Sequence, residues 1–178
     1  MACDNLSLGR LEPCKDSVGG IKYVYFINNG ELDVTNDVTN TDAIATLGTG
    51  LTAYRYEIRS TASTFTQNTN SSRDNGTTFW EQVLELTLKG ITPADLKEIK
   101  LLSYSRPHVL VEDNNGSIFV AGLEYGMDVT GGTIVTGGAM GDLSGFTISL
   151  TGMEKIPANY LSAASLSAAG VSTVQTGA

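Results

Sequence analysis

Apolar and polar side chains alternate with a period of two along residues 80–89. One face of an extended chain would carry mostly apolar side chains, from Trp80, Gln82, Leu84, Leu86 and Leu88. The opposite face would carry Glu81, Val83, Glu85, Thr87 and Lys89. Because successive side chains of a β-strand point to opposite faces, this pattern predicts a strand with one face on a core.

Residues 54–59 alternate in the same way, and β-prone residues continue to Thr66. The polar residues 67–76, which separate them from the strand at 80–89, are typical of a turn. We therefore predict that the two segments form a long hairpin with a polar, mobile tip.

Other segments also have strand character. Residues 21–27 are apolar on both faces, which predicts a strand in the middle of a sheet or at an interface. Asn114-Asn115-Gly116 is a hairpin signal between β-prone runs at 109–113 and 117–122. Residues 146–151 alternate again and predict the last strand.

One helix is predicted at about residues 92–105. Thr92 is a candidate N-cap, Pro93 suits the first helical position, and Asp95 can complete a capping box. The apolar face of this helix consists of Leu96, Ile99 and Leu102.

The order of these elements predicts an α+β, mainly β fold. We expect an antiparallel β-sandwich, a rolled sheet or a partial barrel, with one flanking α-helix, over residues 18–153. Residues 1–17 are predicted to be an N-terminal arm. The Ala/Ser/Thr-rich residues 154–178 are predicted to be a C-terminal arm that is ordered only when docked on a neighbour. Residues 31–52 are predicted to be a long loop, either disordered or ordered by a partner.

The composition favours β structure and argues against nucleic-acid affinity. Charged residues are 17% of the 178-residue chain, against roughly 25% in typical soluble domains, and 20 residues are glycine. Acidic residues outnumber basic ones by 19 to 11, which gives a formal net charge of −8. Binding of phosphate groups needs a basic surface. No apolar run approaches the roughly 18 residues of a membrane-spanning helix, and no signal peptide is expected.

The residues most often used in catalysis are scarce. Cys3 and Cys14 fit neither a disulfide framework nor a zinc site, and we expect them to be reduced thiols of a chain made in a cytoplasm. His108 is the single histidine, and no nucleophile–histidine–acid arrangement accompanies it. We therefore expect a structural or surface role for His108.

Two motif-like segments also fail as ligand sites. The glycine-rich residues 128–145 lack the Gly-Lys-Ser/Thr ending of a phosphate-binding loop, so we expect a flexible or interface loop. Residues 113–116 have the wrong spacing for a calcium loop, and we expect a hairpin turn there.

Carboxylate pairs and aromatic residues are the remaining candidates for a catalytic or ligand-binding site. Glu81 and Glu85 lie on the outer face of one predicted strand and are expected to be solvated, although a carboxylate pair elsewhere would suit a glycosidase. Aromatic side chains on the strands would suit a sugar platform or, more often, a core: Phe79 with Trp80, and Tyr54 with Tyr56. We predict no catalytic, cofactor-binding or metal-binding residue and no enzymatic activity.

Four segments resemble structural proteins of tailed bacteriophages. They are LGRLEPCK (residues 8–15), SVGGIK (17–22), EDNNG (112–116) and MGDLSGF (140–146). The nearest resemblance is to tail tube proteins of phages that infect Bacteroidetes-like hosts, and it covers most of residues 8–153. The tail after Pro157 has no counterpart in the resemblance.

The resemblance implies a structural virion protein. Such subunits form hexameric rings that stack into a hollow tube, and their inner sheets join into one barrel around the channel. A long loop and the terminal arms contact neighbouring rings. The partners implied are further copies of the chain and other phage tail or connector proteins, in a virion tail assembled in the host cytoplasm. DNA passes through without specific binding, and neither a membrane nor a cofactor is involved.

Physical arguments favour the same function. An open sheet edge promotes aggregation unless it is paired, and a ring of joined sheets removes such edges. We expect more acidic than basic side chains on the channel wall, because negative charge repels DNA phosphates. Deleting residues 31–52, or the tail after Pro157, is expected to leave a soluble monomer that no longer assembles. The alternatives are a head–tail connector, a tail terminator or a capsid decoration protein and, from another class, a carbohydrate-binding module or a small hydrolase.

Overall fold

The computed structural model describes residues 9–12, 14–39, 42–59, 62–163 and 165–177. Within these ranges one helix, α1, spans Pro93–Tyr104. The strands are β1 (Ile21–Ile27), β2 (Thr35–Asn36), β3 (Ala43–Thr46), β4 (Leu51–Glu57), β5 (Thr64–Ser72), β6 (Thr77–Lys89), β7 (His108–Asp113), β8 (Ile118–Ala121), β9 (Asp128–Val135), β10 (Gly145–Glu154), β11 (Asn159–Leu161) and β12 (Val171–Thr176).

The strands form two sheets, neither of which is closed. The larger has eight strands in the order β12-β4-β1-β7-β8-β11-β3-β2, and the smaller has four in the order β5-β6-β10-β9. Neighbouring strands are antiparallel except for β11 with β3 and β12 with β4. The predicted α+β, mainly β fold with a single helix is therefore confirmed for the described ranges.

The two sheets pack face to face over a first core. The eight-stranded sheet contributes Val24, Phe26, Val109 and Val111, and the four-stranded sheet contributes Leu84, Leu86, Phe146, Ile148 and Leu150. All of these side chains are buried. The alternation along β6 follows from this packing, because every second side chain enters the core.

A second core lies on the opposite face of the eight-stranded sheet. Tyr25 and Ile27 of β1 belong to it, whereas their neighbours Val24 and Phe26 belong to the first core. Segments from the two ends of the chain cover it, with side chains that include Leu47, Leu161, Ala169 and Val171. This arrangement confirms the prediction that residues 21–27 form a mid-sheet strand.

The prediction of one long loop at residues 31–52 is wrong. Within it the chain forms β2 and β3, and β4 begins at Leu51. Ala43 and Ile44 are buried, and the short apolar run that contains them is the part that forms a strand. β3 pairs with β11, which is far away in sequence, so local composition gave no sign of this partner.

The prediction that residues 154–178 are a docked arm also differs from the structure. β11 and β12 lie in the eight-stranded sheet of the same chain. Gly170 has a φ of +99°, and a Cβ there would collide with the carbonyl oxygen of Gly48. Small side chains therefore allow the close crossing of two segments, which the low-complexity composition alone did not indicate.

The predicted hairpin has a different first strand. Residues 54–57 belong to β4 in the larger sheet, whereas β5 pairs with β6 in the smaller one. The chain thus changes sheets between β4 and β5, and the hairpin tip is confined to residues 73–76. The glycine-rich stretch, predicted to be a loop, contains the eight-residue strand β9.

Helix α1 begins as predicted. The Thr92 hydroxyl oxygen accepts a hydrogen bond from the Asp95 backbone N–H at 3.2 Å, and the Asp95 carboxylate accepts one from the Thr92 N–H at 3.1 Å. This capping box fixes the first turn. Ile99 and Leu102 pack on the first core, whereas Leu96 is largely exposed, so the helix flanks the sheets without any fully buried side chain.

Candidate assembly surface

His108 is buried, and both of its ring nitrogens are occupied by backbone groups. Nδ1 lies 2.6 Å from the carbonyl oxygen of Gly122, so it donates, and Nε2 accepts from the N–H of Gly30 at 3.3 Å. This pattern corresponds to the neutral imidazole. His108 therefore joins two loops and has no nitrogen available for proton transfer to a substrate.

Two further buried polar side chains hold the loop at residues 122–126. The Gln82 Oε1 accepts from the N–H of Gly122 at 2.9 Å. The Glu154 Oε1 accepts from the N–H groups of Glu124 and Tyr125 at 3.0 and 2.9 Å. Burial raises the pKa of the Glu154 carboxyl, although the two N–H donors oppose that rise.

Sequence reasoning did not single out Gln82 or Glu154. The signal that marks them is a polar residue at an inward position of an alternating strand. Gln82 interrupts the apolar face of β6, and Glu154 occupies the last inward-facing position of β10. A polar side chain at such a position needs an internal partner, because an unpaired buried polar group is costly.

A cleft of about 450 Å³ opens beside His108 and Glu154. Its apolar walls are formed by Leu32, Val34, Leu123 and Ile156. We name it the Glu154 cleft. Across the parts of the chain that the structure describes, no group of three or more His, Cys, Asp or Glu side chains could hold a metal ion.

None of the carboxylates and aromatic residues considered from sequence lines this cleft, although Trp80 is the cross-strand partner of Glu154. Glu81 and Glu85 lie on β6, where the Glu81 carboxylate accepts a 3.5 Å hydrogen bond from Asn68. Tyr54 and Tyr56 belong to one sheet, and Phe79 and Trp80 belong to the other. Tyr56 packs edge-on against Phe26 with ring centroids 5.1 Å apart, and Phe65, Phe119 and Tyr160 form a separate aromatic cluster with centroids 6.0 and 4.5 Å apart.

The two motif-like segments are turns and strands. Asp113 Oδ1 accepts from the N–H groups of Asn115 and Ser117, as expected for the hairpin turn between β7 and β8. After β9, the Asp142 carboxylate accepts from two backbone N–H groups, which lowers its pKa. Cys14 is an exposed free thiol, and Cys3 lies outside the described residues.

The side of the four-stranded sheet that faces away from the first core is polar. We name it the outer face, and by strand register it carries Thr64, Thr66, Asn68, Asn70, Ser72, Thr77, Phe79, Glu81, Val83, Glu85, Thr87, Lys89, Asp128, Gly131, Thr133, Val135, Gly145, Thr147, Ser149, Thr151 and Met153. Its hydroxyl groups link neighbouring strands, since Thr133 and Thr147 are hydrogen-bonded at 2.8 Å. Its charged side chains are Glu81, Glu85, Lys89 and Asp128.

The four-stranded sheet has two long edges. β5 pairs only with β6, and β9 pairs only with β10, so one side of each edge strand has no strand neighbour in the described chain. Neither strand contains lysine, arginine or proline. Edge strands of monomeric proteins are usually short or protected by such residues, so these two edges are suited to pairing with another chain.

An apolar groove follows the β9 edge. It encloses about 340 Å³ and is lined by Ile99 of α1 and by Val129, Ile134, Phe146 and Ile148 of the sheet. Ile134 is 55% exposed. The first core is therefore incompletely covered at β9, and a strand added there would extend both the hydrogen bonding and the apolar packing.

The chain matches no family model, no curated protein and no solved structure. The described part of the chain contains no helix that has the length and hydropathy needed to cross a membrane. The geometry of the two sheets is therefore the basis for a functional proposal.

Proposed function

We propose that this chain is a structural virion protein, a tail tube subunit of a tailed bacteriophage, which assembles into stacked, hexameric rings around a channel for DNA. The observation that carries the proposal is the open four-stranded sheet, whose two long edges contain no lysine, arginine or proline. The number six comes from the resemblance of the sequence segments to tail tube proteins.

Ring closure uses the two edges of the four-stranded sheet. The β9 edge of one copy pairs with the β5 edge of the next, and each copy adds four strands to a continuous barrel. Such a head-to-tail contact closes into a ring when the rotation between copies allows it. Closure satisfies the unpaired backbone groups of both edges and fills the groove beside Ile134.

The outer face then lines the channel. It offers three carboxylates, from Glu81, Glu85 and Asp128, against one ammonium group, from Lys89, and Asp128 is paired with Arg106 at 2.9 Å. The remainder is mainly hydroxyl and amide side chains. A wall of this kind repels DNA phosphates weakly and offers no cluster of positive charge, so DNA can slide past it.

The alternative positions in a virion are a head–tail connector, a tail terminator and a capsid decoration protein. These differ from a tube subunit in copy number, since a tube contains very many copies. Two observations count against the carbohydrate-binding alternative: Phe79 and Trp80 are adjacent on β6 and so point to opposite faces, and Tyr56 packs against Phe26 beside the first core.

Assembly of the purified chain tests the proposal. Negative-stain electron microscopy and sedimentation velocity at high protein concentration are expected to show rings or tubes. The double variant Thr66→Lys with Thr133→Lys places a positive charge on each partner edge, and we expect it to remain monomeric.

The matched control is the double variant Thr87→Lys with Ser149→Lys, which adds the same two charges to the outer face of the central strands β6 and β10. This control is expected to assemble. If the edge variant assembles as well as the unmodified chain does, the edges of the four-stranded sheet do not form the ring.

A further inference from the structure

We propose that residues 9–12 of one copy dock in the Glu154 cleft of another copy. In this contact the Arg10 guanidinium pairs with the Glu154 carboxylate, and Leu11 packs on the apolar walls of the cleft. The inference rests on the proposed function, since it assigns a contact between successive copies in a stack.

The cleft has a carboxylate that lacks a cation. Glu154 is 2% exposed, and none of the ion pairs among the described residues includes it. Lys155, the next residue, pairs instead with Glu124 at 2.8 Å. Both ring nitrogens of His108 are hydrogen-bonded to backbone groups, at Gly122 and Gly30, and not to Glu154. A buried carboxylate is costly without a cationic partner, so a guanidinium that enters the cleft would relieve this cost.

The N-terminal segment offers the complementary groups. Arg10 is exposed, and Leu11 is 92% exposed. The hydrogen bond within the described part of residues 9–17 joins the Asp16 N–H to the Cys14 carbonyl, and no bond connects this segment to the sheets. Two carboxylates line the cleft, and Glu124 is paired with Lys155 whereas Glu154 has no ion pair among the described residues. An arginine followed by an exposed leucine matches this carboxylate and the four apolar side chains, because guanidinium groups bind carboxylates in a two-point geometry.

The position of the segment favours a second copy as the host. At the turn that follows β7, the Asn115 side chain is hydrogen-bonded to the Val18 backbone, and Asn114 donates to the carbonyl oxygens of Gly19 and Gly20. His108, which lines the cleft, is at the other end of β7. This strand has six residues, or about 20 Å at the usual rise per residue. Residues 18–20, from which the segment extends, and the cleft thus lie at opposite ends of β7, which favours a host cleft in the next copy of a head-to-tail stack.

Photo-crosslinking in the full-length chain tests this contact. Benzoylphenylalanine in place of Glu12 leaves Arg10 and Leu11 intact. Unlabelled chains that carry the crosslinker are mixed with ¹⁵N-labelled chains before irradiation. We expect mixed-isotope products in which position 12 is joined to peptides that contain residues 29–34 or 123–124. Products within one chain, or joined at other sites, would overturn the inference.

Charge reversal gives an independent readout. Arg10→Glu is expected to raise the protein concentration needed for assembly by about tenfold or more, because it places two carboxylates together. Lys15→Glu makes the same charge change five residues further along the chain, outside the docked residues 9–12, and is expected to have little effect. Equal effects of the two variants would show that Arg10 has no specific partner, which contradicts the inference.

Electron microscopy of the crosslinked samples separates the two proposals. Rings or tubes without crosslinks to the cleft would overturn this inference and leave the proposed function standing. Crosslinks to the cleft in samples that contain only small oligomers would support the contact and count against the tube.

Discussion

Gly170 lies so close to the carbonyl oxygen of Gly48 that the backbone there leaves no room for a side chain. At the same crossing, the Leu51 N–H donates to the Gly170 carbonyl at 3.2 Å, and the Leu47 N–H donates to the Ala169 carbonyl at 2.8 Å. The C-terminal segment is thereby fixed on the segment that precedes β4. The second core depends on this crossing, since Leu47, Ala169 and Val171 are buried around it.

Gly170→Ala is expected to destabilise the chain by about 2–4 kcal/mol, because the new Cβ meets the Gly48 carbonyl and the φ of +99° is unfavourable for alanine. Urea denaturation followed by tryptophan fluorescence measures the loss. Gly177→Ala is the control, since nothing lies within 4 Å of a Cβ at that position. Equal stabilities of the two variants would show that the backbone near Gly48 can move aside for a side chain at position 170.

The C-terminal strand β12 allows a second comparison within one element. Val171 is 3% exposed, whereas Val174 is 40% exposed. Val171→Ala is expected to lower the free energy of unfolding by about 2 kcal/mol, and Val174→Ala by much less. A small effect at both positions would mean that β12 adds little to the second core.

The same burial changes the expectation for deletion of the tail. Removing residues 158–178 takes away Leu161, Ala169 and Val171 and exposes the second core. We now expect an aggregating or unfolded product instead of a soluble monomer. Circular dichroism and size-exclusion chromatography measure this outcome, and a folded monomer would contradict it.

The sequence-based predictions succeeded for elements whose signals lie within a few adjacent residues. β1, the capped helix α1, the β7–β8 hairpin and β10 are each marked by a few adjacent residues, such as Thr92 with Asp95. Short strands without such a local signal were missed, whereas β1 and β10 were found although their partners β7 and β6 are distant in sequence. β3 and β11, for example, pair with each other although more than a hundred residues separate Ala43 from Tyr160.

The candidate surface was less predictable than the fold. The alternation along β6 identified Glu81 and Glu85 as outward-facing, which the register confirms. It could not indicate which strands are edges, because that depends on the order of strands in the sheet. Glu154 was missed because a single acidic residue at a strand end is common, and its burial arises only when the loop at 122–126 folds over it.

The capping box predicts a measurable helix contribution. Thr92→Ala removes the hydroxyl that accepts from the Asp95 N–H and is expected to cost about 1 kcal/mol. Thr92→Ser keeps an acceptor at the same place and is expected to restore most of the stability. Thermal unfolding followed by circular dichroism compares the three proteins. If serine is no better than alanine, the hydroxyl group is not the stabilising feature.

The side chain of Asn115 predicts local protection of the N-terminal segment. Its Oδ1 accepts from the Val18 N–H at 2.9 Å, and its Nδ2 donates to the Val18 carbonyl at 2.7 Å. Asn115→Ala is expected to speed hydrogen exchange at Val18 by about tenfold, which corresponds to roughly 1 kcal/mol per lost hydrogen bond. Asn75→Ala, in the exposed β5–β6 turn, is the control. Unchanged exchange at Val18 would show that other contacts hold the segment.

Glu154 predicts a specific pH dependence of stability. Burial raises the pKa of its carboxyl in the folded chain above the ordinary value near 4.5. The folded state therefore holds this proton more tightly than the unfolded state does, so stability from this group increases as pH falls through the raised pKa toward 4.5. Glu124 also raises this pKa, the two backbone N–H donors lower it, and His108 would lower it only in its cationic form, which the hydrogen bond from Gly30 to Nε2 disfavours.

Glu154→Gln separates this charge from the hydrogen bonds. The glutamine Oε1 can accept from the same two N–H groups without a buried charge, so we expect equal or higher stability at pH 7 and a weaker change of stability between pH 7 and 4.5. Glu154→Ala leaves both N–H groups without this acceptor and is expected to cost about 1–3 kcal/mol at either pH. Urea titrations at a series of pH values measure all three proteins. If Glu154→Gln is as unstable as Glu154→Ala at pH 7, the charge stabilises the loop at residues 122–126, and the sign deduced from burial is wrong.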